Sequence, residues 1–232
     1  MASRHVLVCL PPNPADQHAV WTRLTRALNK VRGGHFDSYE ITTGRYTEHF
    51  PLRDAGQADD PRLIRSVGGA PQRCAGGPLG LLDLEGLREH RAAQAAAFYD
   101  AWRKATAEMP PARPLSDFQG DSSDWVSAFL AFREQPPLKA AAALPGGQRY
   151  RQRYEAHTLI TLERDQFIAR ARRRAVPGNS LLDLDGVWST DPAWLNDDDP
   201  AETGSTAYHD HVNTYLDALP ADHLVIGVDC RR

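Results

Sequence analysis

His5-Val6-Leu7-Val8-Cys9-Leu10 is apolar at nearly every position, the pattern of a central strand buried on both faces rather than of an alternating edge strand. His223-Leu224-Val225-Ile226-Gly227-Val228-Asp229 reads the same way near the other end of the chain. Two such strands bracket one core, and the helical and extended patterns between them define an α/β protein. If the two strands are neighbours, His5 and Cys9 come beside Asp229-Cys230 in one polar corner, which is expected to be structural.

Pro11-Pro12-Asn13-Pro14 stops the first strand. From Ala15 to Val31 the apolar residues Val20, Trp21, Leu24, Ala27, Leu28 and Val31 share one helical face, and Gly33-Gly34 ends the helix. Phe36 to Thr43 and Arg45 to Phe50 read as a hairpin turning at Gly44. Residues 51–82, rich in Gly, Pro and Asp and without a sustained period, read as a long loop. Asp83 is placed to cap a helix running to about Glu108, and Trp125, Phe129 and Phe132 mark a second, shorter helix that Pro136-Pro137 closes. His157 to Leu162 and Phe167 to Arg172 read as strands. Tyr208, Val212, Tyr215, Leu216 and Leu219 form the stripe of a last helix, on which His211 is expected to be partly buried while His209 and Asp210 face water.

The resulting order is β-α-β-β, two inserted helices, then β-β-α-β. It predicts an α+β fold: a mixed sheet with helices on one face, a ferredoxin-like two-layer sandwich in a single domain of residues 1–232, with a helical insertion over about 83–135.

The 232-residue length suits one large domain. No apolar run approaches the roughly 18 residues of a membrane span, and the N-terminal apolar run is too short for a secretory signal, so a soluble cytoplasmic protein without membrane contact is expected. Cys9, Cys74 and Cys230 have no CxxC spacing and are expected to be reduced thiols. The net charge of −3 conceals an asymmetry. Residues 148–174 hold eight arginines against Glu155, Glu163 and Asp165, whereas residues 175–230 hold eleven acids and no Lys or Arg. Mutual neutralisation across one fold is the simpler reading, and an anion-facing basic surface the alternative.

Few motifs carry chemistry. His209 and His211 have HxH spacing, but on a helix residues two apart point away from each other, so no metal is expected. Neither a dinucleotide fingerprint, a phosphate-binding loop nor a GxSxG serine is present, and no cofactor is expected. Asp197-Asp198-Asp199 lacks the spacing of a calcium loop. Cys230 next to Asp229 is a thiol candidate, although an adjacent carboxylate raises rather than lowers a thiol pKa. Arg149-Tyr150-Arg151-Gln152-Arg153-Tyr154 interleaves arginine with aromatics, a composition suited to phosphate contact and base stacking. With Arg170 and Arg172 it is the strongest functional signal.

The runs Val6-Leu7-Val8-Cys9-Leu10-Pro11, Phe36-Asp37-Ser38-Tyr39 with Thr43-Gly44-Arg45-Tyr46, and Leu216-Asp217-Ala218-Leu219-Pro220 leading to Val228-Asp229-Cys230 resemble a family of uncharacterised small proteins of actinobacteria and their phages. That family often shows WDWY with GGRW and ends in VDCH. Here Phe36, Tyr39, Thr43 and Tyr46 depart from its tryptophan and glycine positions, and Arg231 replaces its final histidine. The resemblance spans the two ends and part of the middle, and implies a fold and a genomic setting but no site residues.

Two functions follow as expectations. The first is a non-enzymatic binding or regulatory protein that meets a protein or nucleic-acid partner through Arg149, Arg151, Arg153, Arg170 and Arg172. The second is a small-molecule enzyme, with a pocket between the sheet and the inserted helices, that uses His49, His157, Asp229 or Cys230 as acid, base or nucleophile. The first needs an exposed arginine face; the second needs titratable groups that converge.

Overall fold

The computed structural model describes residues 3–12, 16–41, 46–66, 69–119, 125–195 and 202–231. The chain divides into two compact units, Met1–Arg88 with Arg173–Arg232, and Glu89–Arg172.

In the first unit, strand β1 (Ser3–Leu10) leads to helix α1 (Gln17–Val31). Asp16 caps that helix by accepting the Ala19 amide, and Gly33 at φ +84° turns the chain out of it. Short strands β2 (Ser38–Glu40), β3 (Phe50–Pro51), β4 (Arg73–Cys74) and β5 (Gly76–Pro78) follow. Helix α2 (Leu84–Ala105) starts in this unit and continues in the second, its first turn capped by Asp83 through the Gly86 amide at 2.9 Å. The second unit adds α3 (Trp125–Arg133), α4 (Pro136–Ala143), α5 (Arg153–Thr161) and most of α6 (Arg164–Arg173). The chain then returns to the first unit through β6 (Ser180–Leu182), β7 (Trp188–Thr190), α7 (Pro192–Leu195), α8 (Glu202–Ala218) and β8 (Leu224–Arg231).

The fold is α+β, with one mixed sheet in the order β2-β8-β1-β6-β7 and β5 also paired to β8. Strands β1 and β8 are antiparallel neighbours from Ser3↔Arg231 to Leu10↔Leu224, and β1 and β6 are parallel. This connectivity does not establish the ferredoxin-like detail. Side chains alternate across a strand, and here both faces are apolar. Leu7, Cys9 and Val225 pack with Tyr208, Val212 and Leu216 of α8, while Val6, Val8 and Val228 pack with Val20, Leu24 and Leu28 of α1. Helices therefore cover both faces, which corrects the arrangement with helices on one face. Two central strands apolar at both parities require two covers.

Other corrections are local. The stretches over His157 to Leu162 and Phe167 to Arg172 lie in α5 and α6, not in strands. Ala156 and Leu159, and Phe167 and Arg170, are buried at the three-residue spacing of a helix face. Pro136-Pro137 opens α4 instead of closing a helix, since a proline at the first helical position lacks only an N–H that would be unpaired anyway. Among the described residues no hairpin pairing joins the two halves of 36–50: β2 pairs with β8 and β3 with β4, and the expected turn at Gly44 lies outside the described residues. Residues 51–82 are built into the core through buried Leu52, Leu63, Ile64, Cys74, Leu79 and Leu82. Among the described residues no helix is long and apolar enough to cross a membrane.

Candidate functional site

Four of the eight arginines of the basic segment are paired with nearby acids. In the second unit Arg170, only 8% exposed, meets Glu155 at 3.4 Å, Arg172 meets Glu89 at 3.0 Å, and Arg164 grips Asp100 through two bonds of 2.7 and 2.8 Å. In the first unit Arg173 pairs with Asp210 at 2.9 Å. Of these four carboxylates only Asp210 comes from the acidic C-terminal third, so neutralisation is real but its expected source is corrected. Arg170 and Arg172 thus leave the proposed basic surface.

Arg149 and Arg151 remain exposed on a 3-10 turn, Gly147–Arg151, that follows Gly146 in the left-handed region at φ +74°. Arg153 begins α5, and its side chain lies outside the described residues, as does that of Tyr154. Tyr150 is buried, packed on Phe98 at 4.4 Å, which removes it as a base-stacking platform. Its hydroxyl accepts a 2.6 Å bond from the Arg149 guanidinium, which also sits 4.9 Å over the ring. Beside this turn is a cavity of about 440 Å³ lined by Arg133, Lys139, Gln148, Tyr150 and Arg151, with Glu134 as its acid. Lys139 bonds Glu134 at 2.6 Å. Among the described residues Arg133, Arg149 and Arg151 have no carboxylate partner.

The polar corner is present in the first unit. His5 and Asp229 are directly opposed across β1 and β8, 5% and 1% exposed, on the face that Leu7 and Val225 also occupy. The His5 ring stacks on Tyr46, centroids 3.8 Å apart, and meets the edge of His49 at 4.4 Å. His49 Nε2 donates to the Val176 carbonyl at 3.3 Å. The His5 backbone is held by Asn179, whose amide donates to the His5 carbonyl at 2.7 Å and whose Oδ1 accepts the His5 amide at 2.9 Å. Burial, and second the neighbouring His49, hold the His5 pKa well below its ordinary 6.5, so the ring is neutral at pH 7. Its Nε2 is buried and makes no hydrogen bond among the described residues.

The catalytic candidates are thereby sorted. His49 and Asp229 share the corner. Cys230 points to the opposite face with Val6 and Val228, and burial, then Asp229, pushes its thiol up to about 12. His157 is half-buried on α5 in the other unit. Sequence reading missed His5 and Tyr46 as partners of His49, because only strand register and a ring stack join them.

The helix α8 phase corrects the histidine pair: His209 is 3% exposed and His211 is exposed. His209 Nδ1 lies 2.6 Å from the Ser205 carbonyl, which can only accept, so that nitrogen carries the proton. The Ser205 hydroxyl donates to Asp191 at 3.1 Å, and His209 Nε2 lies 3.6 Å from the same carboxylate. This Ser-His-Asp group is not a nucleophile triad, since the imidazole presents N–H rather than a lone pair to the serine. It ties the N-cap of α7, where Asp191 accepts the Ala193 amide, to α8. Among the described residues no group of three or more potential ligands could hold a metal ion. Asp197-Asp198-Asp199 lies outside the described residues.

No family model, no curated protein and no solved structure matches the chain.

Proposed function

We propose that this is a binding protein that recognises an anionic group of a partner through the cavity beside Gly147–Arg151. The observation that carries this reading is that Arg133 and Arg151, without carboxylate partners among the described residues, line a ligand-sized depression with Lys139, and that Arg149 stands on the same turn as Arg151. Guanidinium groups without a carboxylate keep their donors for the planar, two-point contacts that phosphate and carboxylate offer. Gln148 adds an amide at the rim, its Nε2 occupied by the Ala142 carbonyl at 3.2 Å. Phosphate of a nucleic acid is the favoured anion, read without base stacking because Tyr150 is buried.

The test is fluorescence anisotropy with a labelled single-stranded oligonucleotide and with an acidic peptide, at low and moderate salt. Oligonucleotide binding that weakens as salt rises and is lost in the Arg133→Ala, Arg149→Ala, Arg151→Ala triple variant supports the reading. Peptide binding alone would make the partner a protein. If neither probe binds at low salt, or the triple variant binds as well as the parent, the proposal is wrong.

A further inference from the structure

The β3–β4 pair and the chain beside it line a cavity of about 620 Å³, within the roughly 300–1,000 Å³ usual for small-molecule sites. Pro51, Leu52, Ala55 and Pro71 give it apolar lining, Arg53 and Arg73 are its charged side chains, and no acidic side chain lines it among the described residues. Arg73 stands directly opposite Pro51, and Arg53 follows Pro51 by two residues, which puts both arginines on one side of the pair. That diagonal spacing is roughly 7–8 Å, which long side chains bridge.

Both guanidinium groups are anchored from the same side by main-chain carbonyls. Arg73 donates from Nε to the Glu48 carbonyl at 2.6 Å and from Nη2 to the His49 carbonyl at 3.0 Å, and Arg53 donates from Nε to the Leu82 carbonyl at 2.9 Å. These bonds leave the end-on fork of each group, one N–H from Nη1 and one from Nη2, free for a ligand. Neither arginine meets a carboxylate among the described residues. The nearby acids have other contacts. Glu48 accepts the Ala70 amide at 2.7 Å and Asp54 the Gly56 amide at 2.8 Å, while Glu85 and Asp217, which share a second cavity with Arg53, pair with Arg88. The lining is pinned too: the Leu52 amide donates to Gln72 at 3.0 Å, the Arg53 amide to Leu81 at 3.0 Å and the Arg73 amide to Ala70 at 3.1 Å. A site held in place before binding lowers the ordering cost of taking a ligand.

We propose that this cavity binds a small phosphate monoester, with Arg53 and Arg73 sharing the phosphate and the apolar lining receiving the organic group. A carboxylate offers two oxygens and is filled by one guanidinium fork. A phosphate monoester presents three terminal oxygens and about two negative charges at neutral pH, enough for both forks. The site lies in the first unit and the arginine cavity beside Gly147–Arg151 in the second, and neither proposal rests on the other.

Isothermal titration calorimetry at pH 7.5 with phenyl phosphate, inorganic phosphate and benzoate as probes tests it. The parent protein should bind one phenyl phosphate with a Kd below about 1 mM, and the other two probes more weakly. Arg53→Ala should weaken phenyl phosphate binding roughly tenfold or more, whereas the Arg133→Ala, Arg149→Ala, Arg151→Ala triple variant should bind it as the parent does. No binding by the parent, undiminished binding in Arg53→Ala, or loss of binding in the triple variant would each overturn the proposal. Benzoate bound as tightly as phenyl phosphate would overturn the choice of phosphate, and inorganic phosphate bound as tightly would overturn the organic group. If Arg53→Ala does not fold, Ala55→Phe, on an exposed turn of the lining, fills the cavity in its place and must show the same loss.

Discussion

Arg170 and Glu155 lie 3.4 Å apart with side chains 10% and 19% exposed, so this arginine of the basic stretch is directed inward, at a carboxylate of the same unit. Removing one partner of such a pair strands the other in a poorly solvated place. Arg170→Ala is expected to cost about 3 kcal/mol in urea denaturation, while leaving oligonucleotide anisotropy as it is in the parent. A loss of binding without a loss of stability would return Arg170 to the surface from which its burial removes it.

The strands that flank the core were legible because burial on both faces leaves no polar alternation to misread, and His5↔Asp229 pairing follows once β1 and β8 are neighbours. The same runs also argue for helices on both sides, a consequence that the one-faced sandwich ignores. Short stretches are ambiguous in principle: His157 to Leu162 has too few residues to separate a period of two from one of 3.6. Strands of two or three residues, such as β3, β4 and β5, leave no periodic trace, which is why residues 51–82 read as loop. The arginine cavity was half legible, since Arg151 shares one turn with Arg149 but Arg133 and Lys139 come from α3 and α4. His5, Tyr46, His49 and Gly227 have no common sequence pattern, because they meet only through register and ring stacking.

Gly76 sits at φ +158° between β8 and the bridge to Ile64, and a Cβ there would collide with the Val225 carbonyl oxygen and come within 2.6 Å of the Ile226 Cα. Both obstacles are backbone of a central strand and cannot swing away. Gly76→Ala is expected to lose on the order of 3 kcal/mol. Gly146→Ala, at φ +74° in open space, should lose only about 1 kcal/mol. Equal urea midpoints for the two variants would contradict this packing of β5.

The three thiols are buried, and burial pushes Cys9, Cys74 and Cys230 each up to about 12 from an ordinary 9.0. Folded protein at pH 8 should therefore resist a thiol-disulfide reagent, and react at all three positions once unfolded in urea. Above pH 9 the unfolded chain ionises its thiols and the folded chain does not, so stability falls by about 1.4 kcal/mol per pH unit for each thiol between 9 and 12. Fast labelling of Cys230 in the folded state would revive it as a nucleophile.

His5 gives the opposite slope at acid pH. The folded state holds the ring neutral, with its pKa well below 6.5 through burial and then His49. Below pH 6.5 the unfolded chain binds a proton there that the folded chain refuses, so the unfolded state gains and stability drops as pH falls toward the folded pKa. Carboxylates titrate lower, so the window from pH 6.5 to 5 isolates the histidines. In that window His5→Gln should remove up to about 1.4 kcal/mol per pH unit of the parent's slope in urea denaturation. A slope unchanged in His5→Gln would mean that the ring is charged in the folded protein.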